Sequence, residues 1–464
     1  MFSTALLLLF LSACKKDLNY ISKSQQRFLI TTASTSSAVN YYVDPSSTLS
    51  KQDGSVSAPW KTIEQVNSNM DLFKPGDKIN FKRGQRFKGP LIIYRSGTSS
   101  APITFSTYGS GTSPLIEYDL NTTKSVGDRM IIDVAKAQYV VLDGFNLTDA
   151  GMSTTNHSTN ARVGTGINLG NSSFITVKNM QMSLMGIGIS VKGNNNSISY
   201  CSFTNMRMII NDATSDNDYG ANGIVLSGSG NSITNNTFRD NWASSHDYVY
   251  DGGAIEFFGP YSNNKIMYNT CINNEGFMEF GSKSGGYGYN NLVAYNLLIN
   301  NGQIFWFNLG GKFALSVSNL QFYNNNVIET KMDRKNSSYL IAATLNTVQP
   351  PNMLIMKNNI IWTATSVKLA RSWSNTSFIH ANNIYRMATG ILEFPLSSSE
   401  LSITLSAPLF KDISSSKPSA WDYNLVSSSV AIDKGAKLGL TLDLEGKVVF
   451  NGKAPEIGAL EYYP

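Results

Sequence analysis

Short apolar stretches alternate with polar positions along the chain, and from about residue 167 they recur in a fixed order. One element reads GINLG, GIGIS, GIVLSG, AIEFFG, FMEFGS and QIFWFN in successive turns of the pattern. A second follows each: NSISYCSF, NSITNNTF, NKIMYNTC, NLVAYNLL, LQFYNNNV and LIMKNNII. Alternation over so few residues, bounded by Gly, Asn and Ser, predicts short strands rather than helices. Aligning the second element places Ile198, Ile233, Ile266, Val293, Phe322 and Ile355 at one position. Three residues later stand Cys201, Asn236, Asn269, Asn296, Asn325 and Asn358.

From Asn236 to Asn358 the asparagine intervals are 33, 27, 29 and 33 residues. A constant strand position at uneven intervals means loops of different length inserted into one coil, the signature of a parallel β-helix. Asn tolerates left-handed turn conformations, and stacked amides hydrogen-bond along a column. The expected fold class is therefore all-β. The repeats resemble the right-handed parallel β-helix of pectate-lyase-like bacterial carbohydrate-active enzymes. Residues 41–93 resemble the entry segment of many such proteins. That implies APWKTIEQVN as a helix capping the open end and KINFKRGQRFKGPLII as the first coil. SSVAIDKGAKLGLTLDLEG and APEIGALEY resemble their closing segment. The resemblance covers about residues 40–464 and implies a single domain, 41–464. It bears on fold more than reaction, because this architecture hosts lyases, hydrolases, epimerases and inert adhesins.

Alternate strand residues face opposite sides. With Ile224 and Leu226 inward, the outward column of the first element reads Asn168, Gly188, Val225, Glu256, Glu279, Phe305. Two glutamates on neighbouring strands lie about 4.8 Å apart in the stacking direction. Like charges so placed repel, which raises one pKa and lets one carboxyl serve as acid and the other as base or nucleophile. Glycoside hydrolysis uses such a pair, about 5–5.5 Å apart for retention and about 6.5–9.5 Å for inversion. The alternative is a surface acid ladder tied to Lys283. Asp251 is a third acid able to replace either glutamate. Glu256 is the expected acid, from its nearness to Phe258 and Tyr261.

Long insertions at 207–222 and 239–253 are expected to wall a groove above this sheet. The second holds Arg239, Trp242, His246, Tyr248 and Tyr250, aromatic and titratable side chains suited to sugars. Phe305 and Phe307, expected outward, are candidate platforms. Asp216-Asn217-Asp218-Tyr219-Gly220 resembles half of a calcium loop, although calcium needs about six to eight oxygens. No His/Cys cluster has zinc spacing, and no Gly-rich loop cradles phosphate. The expectation is no cofactor, with calcium as the one candidate.

Charge refines the picture little. The chain has 464 residues, 15% of them charged, with a net charge of +5. Mild basicity suits an anionic glycan or simply solubility, and no basic cluster points to nucleic acid. The N-terminal MFSTALLLLFLSAC is too short to span a bilayer and resembles a bacterial lipoprotein signal ending in the lipidated Cys14. KKDLNY after it resembles a cell-surface export signal. Residues 15–40 read as a flexible tether to the outer membrane. Cys201 and Cys271 are too far apart in the repeat to pair and are expected as buried thiols. A monomer is expected. Three functions stand open: a glycoside hydrolase on a complex, acidic or sulfated polysaccharide, a polysaccharide lyase using Lys283, Arg239 or His246, and a non-catalytic glycan-binding β-helix.

Overall fold

The computed structural model describes residues 37–464 apart from 135, 284, 332–338, 345–349, 365, 372–375 and 389–391. The expected leader, Cys14 and residues 15–36 of the tether lie outside the described residues. Each coil contributes one strand to each of three long parallel sheets of 12, 12 and 10 strands. The first coil shows the order: Lys78–Lys82 in the first sheet, Arg86–Gly89 in the second, Leu91–Ile93 in the third. The fold is a right-handed parallel β-helix.

The entry helix spans Ile63–Ser68. The Thr62 hydroxyl accepts from the Gln65 N–H, and the Gln65 side chain accepts from the Thr62 N–H. This capping box starts the helix at Ile63, inside the expected stretch APWKTIEQVN but short of its beginning, and Ile63 and Val66 bury its inner face. The C-terminal segment packs along the flank of the coil stack. Leu409, Phe410, Tyr423 and Ile457 cluster with Ile272, Ile299 and Ile328 of the second sheet.

The interior is apolar and continuous from Val43 to Met387. Beneath the third sheet Phe257, Phe280 and Phe307 form a stack, with ring centroids 5.2 and 4.7 Å apart. Cys201 and Cys271 are buried free thiols. Tyr261 packs on Phe257 at 4.4 Å, inside the core rather than beside the glutamates as expected.

Three asparagine ladders replace the single one read from the repeat. The longest is Asn236, Asn269, Asn296, Asn325, Asn359, Asn383, in which each backbone N–H donates to the next side-chain oxygen at 2.9–3.0 Å. The others are Asn196, Asn231, Asn264, Asn291 and Asn241, Asn274, Asn301. The residue before each rung of the longest ladder, from Asn235 to Asn382, is left-handed, with φ of 52–61°. Cys201 begins this ladder by donating its N–H to Asn236. The last coil was misaligned by one residue. Met356, not Ile355, pairs with Phe322, so Asn358 takes the left-handed turn and Asn359 is the rung.

Candidate active site

The outer face of the third sheet is the floor of the site. Its column runs Ile92, Asp133, Asn168, Ser190, Val225, Glu256, Glu279, Trp306, Ala342. Glu256 and Glu279 are register partners on adjacent strands, Gly253–Phe258 and Met278–Gly281. Two other positions in the expected column were wrong. Gly188 yields to Ser190, because Ile189 rather than Ile187 pairs with Ile224. Phe305 yields to Trp306, because Phe305 pairs with Met278. Phe305 and Phe307 are 0% exposed and point into the core, so neither is a platform.

Each glutamate is held by an amide that the sequence reading missed. Asn222 Nδ2 donates to Glu256 Oε2 at 2.8 Å. Asn308 Nδ2 donates to Glu279 Oε1 at 3.0 Å. Trp306 Nε1 in turn donates to Asn308 Oδ1 at 3.1 Å, which fixes the indole on the floor beside Glu279. Asn222, Gly252, Gly253, Glu275, Gly276, Glu279, Gln303 and Trp306 line a small notch. Gly276 has φ +101°, and a Cβ there would meet the Gln303 carbonyl oxygen at 4.0 Å.

Asp251 joins the pair. It ends the strand Val249–Asp251, antiparallel to Ala243–Ser245, and accepts the Gly252 N–H at 2.7 Å. Burial, then the charges of Glu279 and Glu275, push its carboxyl up to about 8. Burial and the charges of Glu279 and Asp251 hold Glu256 well above the usual carboxylate range, against the field of Lys283. Glu279 is also raised by burial, while the Asn308 hydrogen bond draws it down. Lys283 is exposed in the turn after Gly281, and among the described residues no ion pair ties it to either glutamate.

The remaining candidates build the walls. Insertions 149–164, 205–221 and 240–252 all leave the corner between the second and third sheets. The first of these was not singled out from sequence. His157 from it stacks on Trp242 at 3.8 Å, and Tyr250 meets Trp242 edge-on at 5.9 Å. Arg207, fully buried, donates to the carbonyls of Ser153, Asn205 and Met206 and so ties two insertions together. His246 is exposed at a hairpin tip, its backbone N–H donating to Asp218. Tyr248 donates its hydroxyl to Asp216 at 2.6 Å. Arg239 is not in the loop: it ends a second-sheet strand, Thr237–Arg239, away from the floor.

The acidic run 216–220 is taken up by protein donors. Asp218 accepts from the Ser245 hydroxyl and the N–H groups of Asp212, His246 and Asp247. Asp247 returns the contact, accepting from the N–H groups of Asn217 and Asp218. These donors engage both oxygens of Asp218 and Oδ2 of Asp247.

The raised carboxyls make stability depend on pH. An acid whose pKa is higher folded than unfolded keeps its proton longer in the folded chain. Its contribution is complete below the unfolded value and is lost as pH rises through the folded one. For Asp251 that window runs from 3.8 to about 8. Urea unfolding midpoints should therefore fall across it, and Asp251→Asn should flatten the fall. An unchanged slope in that variant would contradict the burial of this group.

The sheet arrangement is that of a right-handed parallel β-helix, a fold the chain shares with a pectate lyase. The structure of pectate lyase Pel9A superposes over 92% of this chain and 96% of its own, with TM-score 0.59 and 15% identity. XylC in complex with xylose aligns over 91% of this chain and 98% of its own, with TM-score 0.53 and 10% identity. At such identities the likeness concerns fold. In sequence, 82 residues are 34% identical to lacto-N-biosidase of Bifidobacterium longum subsp. longum. They make up 17% of this chain and only 5% of that protein's length. No protein-family model matches the chain.

Proposed function

We propose that the protein is a glycoside hydrolase acting on a complex polysaccharide, with Glu256 and Glu279 as its catalytic pair. The observation that carries this reading is their register pairing on the floor, each with one oxygen held by an amide donor. Glu256, raised by burial and two acidic neighbours, holds its proton and delivers it to the glycosidic oxygen. Asn222 occupies Oε2, which leaves Oε1 to carry that proton. Glu279, with the Asn308 N–H favouring its charged form, stabilises the developing oxocarbenium ion as nucleophile or base. Trp306 offers the adjoining sugar ring a flat apolar face. The short sequence match to a lacto-N-biosidase supports a hydrolase.

The competing reaction is β-elimination, suggested by the fold shared with a pectate lyase. It requires a uronate carboxylate at the reacting centre with a cation to neutralise it. Asp251, Glu256, Glu275 and Glu279 would repel such a group, and Lys283 is the basic side chain whose field reaches Glu256. The hydrolase reading therefore puts a neutral sugar at the pair and any acidic or sulfated units further along the groove. Incubation with a polysaccharide panel decides the class: new reducing ends without unsaturated products support hydrolysis. Surface display through a lipidated Cys14 belongs to the same proposal. Cys14→Ala should leave the protein soluble and unanchored, and membrane partitioning equal to wild type would remove that part.

A further inference from the structure

The two walls of the site meet above it. Lys312 lies in the loop after Phe305–Phe307, at the edge of the third sheet that leads to the first. Asp216 lies in the insertion before Asn222–Leu226, at the opposite edge and three coils back. Lys312 Nζ donates to the Asp216 carbonyl oxygen at 2.9 Å and to its Oδ2 at 3.0 Å. The inner side of the sheet is filled core, so this link crosses the outer face. Its diagonal covers the two intervening strands, Gly253–Phe258 and Met278–Gly281, which carry Glu256 and Glu279. Three strand spacings separate the anchors, about 14 Å along the stack, so both loops lean inward to meet.

The crossing is braced on each side. Phe313, beside Lys312, packs on Phe258 with centroids 5.8 Å apart, two residues beyond Glu256 on its strand. Tyr248 bonds Asp216 from the hairpin of Ala243–Ser245 and Val249–Asp251, and the reciprocal Asp218 and Asp247 contacts lock that hairpin to the insertion that carries Asp216. Three segments thus form one strap: 211–218, 243–251 and 308–315.

We propose that this strap limits the enzyme to chain ends. It roofs the carboxylate pair, so a polysaccharide enters as a free end fed beneath it rather than as an internal segment laid into an open groove. The proposal rests on the hydrolase reading and makes Lys312 and Asp216 specificity determinants. Their ion pair is exposed, 59% and 42% at the side chains. A pair so exposed adds little to global stability, so it can be broken without unfolding the coil.

The test uses Lys312→Ala and Asp216→Asn, with Lys312→Arg as the conservative control. Acrylamide quenching of Trp306 reads the roof without turnover, as the difference between each protein and its Trp306→Phe counterpart. Lys312→Ala should raise the quenching constant at least about twofold, since a released loop admits the quencher, and Lys312→Arg should restore it. On the panel polysaccharide that wild type cleaves, among xylan, glucuronoxylan and a sulfated galactan, wild type should release short products while viscosity falls slowly. Lys312→Ala and Asp216→Asn should shift toward internal cuts with faster viscosity loss. Unchanged quenching, or rapid internal cutting by wild type, overturns the strap. Cleavage of no polysaccharide would remove the hydrolase reading and the chain-end preference with it, while quenching would still decide whether the strap covers the floor.

Discussion

Glu256→Gln and Glu279→Gln should each lower turnover by at least about two orders of magnitude, the usual scale for a positioned acid or base. Both side chains lie on the outer face of a sheet whose core is complete beneath them. The amide is nearly isosteric, so the coil should keep its unfolding midpoint or gain slightly as a raised carboxyl is removed. The variants should differ in kind. At Glu256 the amide cannot supply a proton to a poor leaving group, so substrates with acidic leaving groups should lose less. At Glu279 the loss should persist whatever the leaving group, because charge at the reacting carbon is no longer stabilised. Asp251→Asn is the rival assignment and should cost less, since that side chain hangs from the hairpin rather than the floor. If it abolished activity while Glu256→Gln did not, the acid would be Asp251.

Asn269→Ala should cost about 3 kcal/mol, the upper range for orphaned buried donors and acceptors. Asn269 is 0% exposed. Its Oδ1 accepts both the backbone N–H and the side-chain amide of Asn236, and its Nδ2 donates to the carbonyl of Ile233 and to Asn296. Truncation strands partners in both neighbouring coils at once, where water cannot replace it. Denaturant unfolding measures the loss. A cost well under about 0.5 kcal/mol would mean that the ladder is not part of the fold's cooperative core.

The repeat itself was legible because the coil demands two things of fixed residues: an apolar inward position and an asparagine at the corner. The entry helix was legible only through the resemblance of residues 41–93 to an entry segment, and the glutamate pairing because two apolar strands each carried one acid out of phase with the core. The failures were failures of register. KNNI offers two asparagines for one rung, and only pairing shows that Asn358 turns and Asn359 bridges. In QIFWFN every candidate is aromatic, so hydrophobicity cannot say that Trp306 rather than Phe305 faces out. GIGIS carries a glycine that fits either side, and Gly188 faces in because a Cβ there would strike Phe203 at 2.5 Å.

Contacts between distant loops left no local trace. Lys312 and Asp216 are 96 residues apart, and no periodicity relates them. Asn222 and Asn308 sit at strand ends, where the surplus of asparagine in this chain hides two with a different task. Arg239 was drawn into the loop by proximity in sequence, although one corner of the coil separates it from the site.

The most direct measurement is the product of cleavage by wild type and by Glu279→Gln on the same polysaccharide. Hydrolysis predicts new reducing ends without the ultraviolet absorbance of an unsaturated uronate, lost in the variant. An unsaturated product that survives in both Gln variants and disappears in Lys283→Ala would contradict the account and make the protein a lyase.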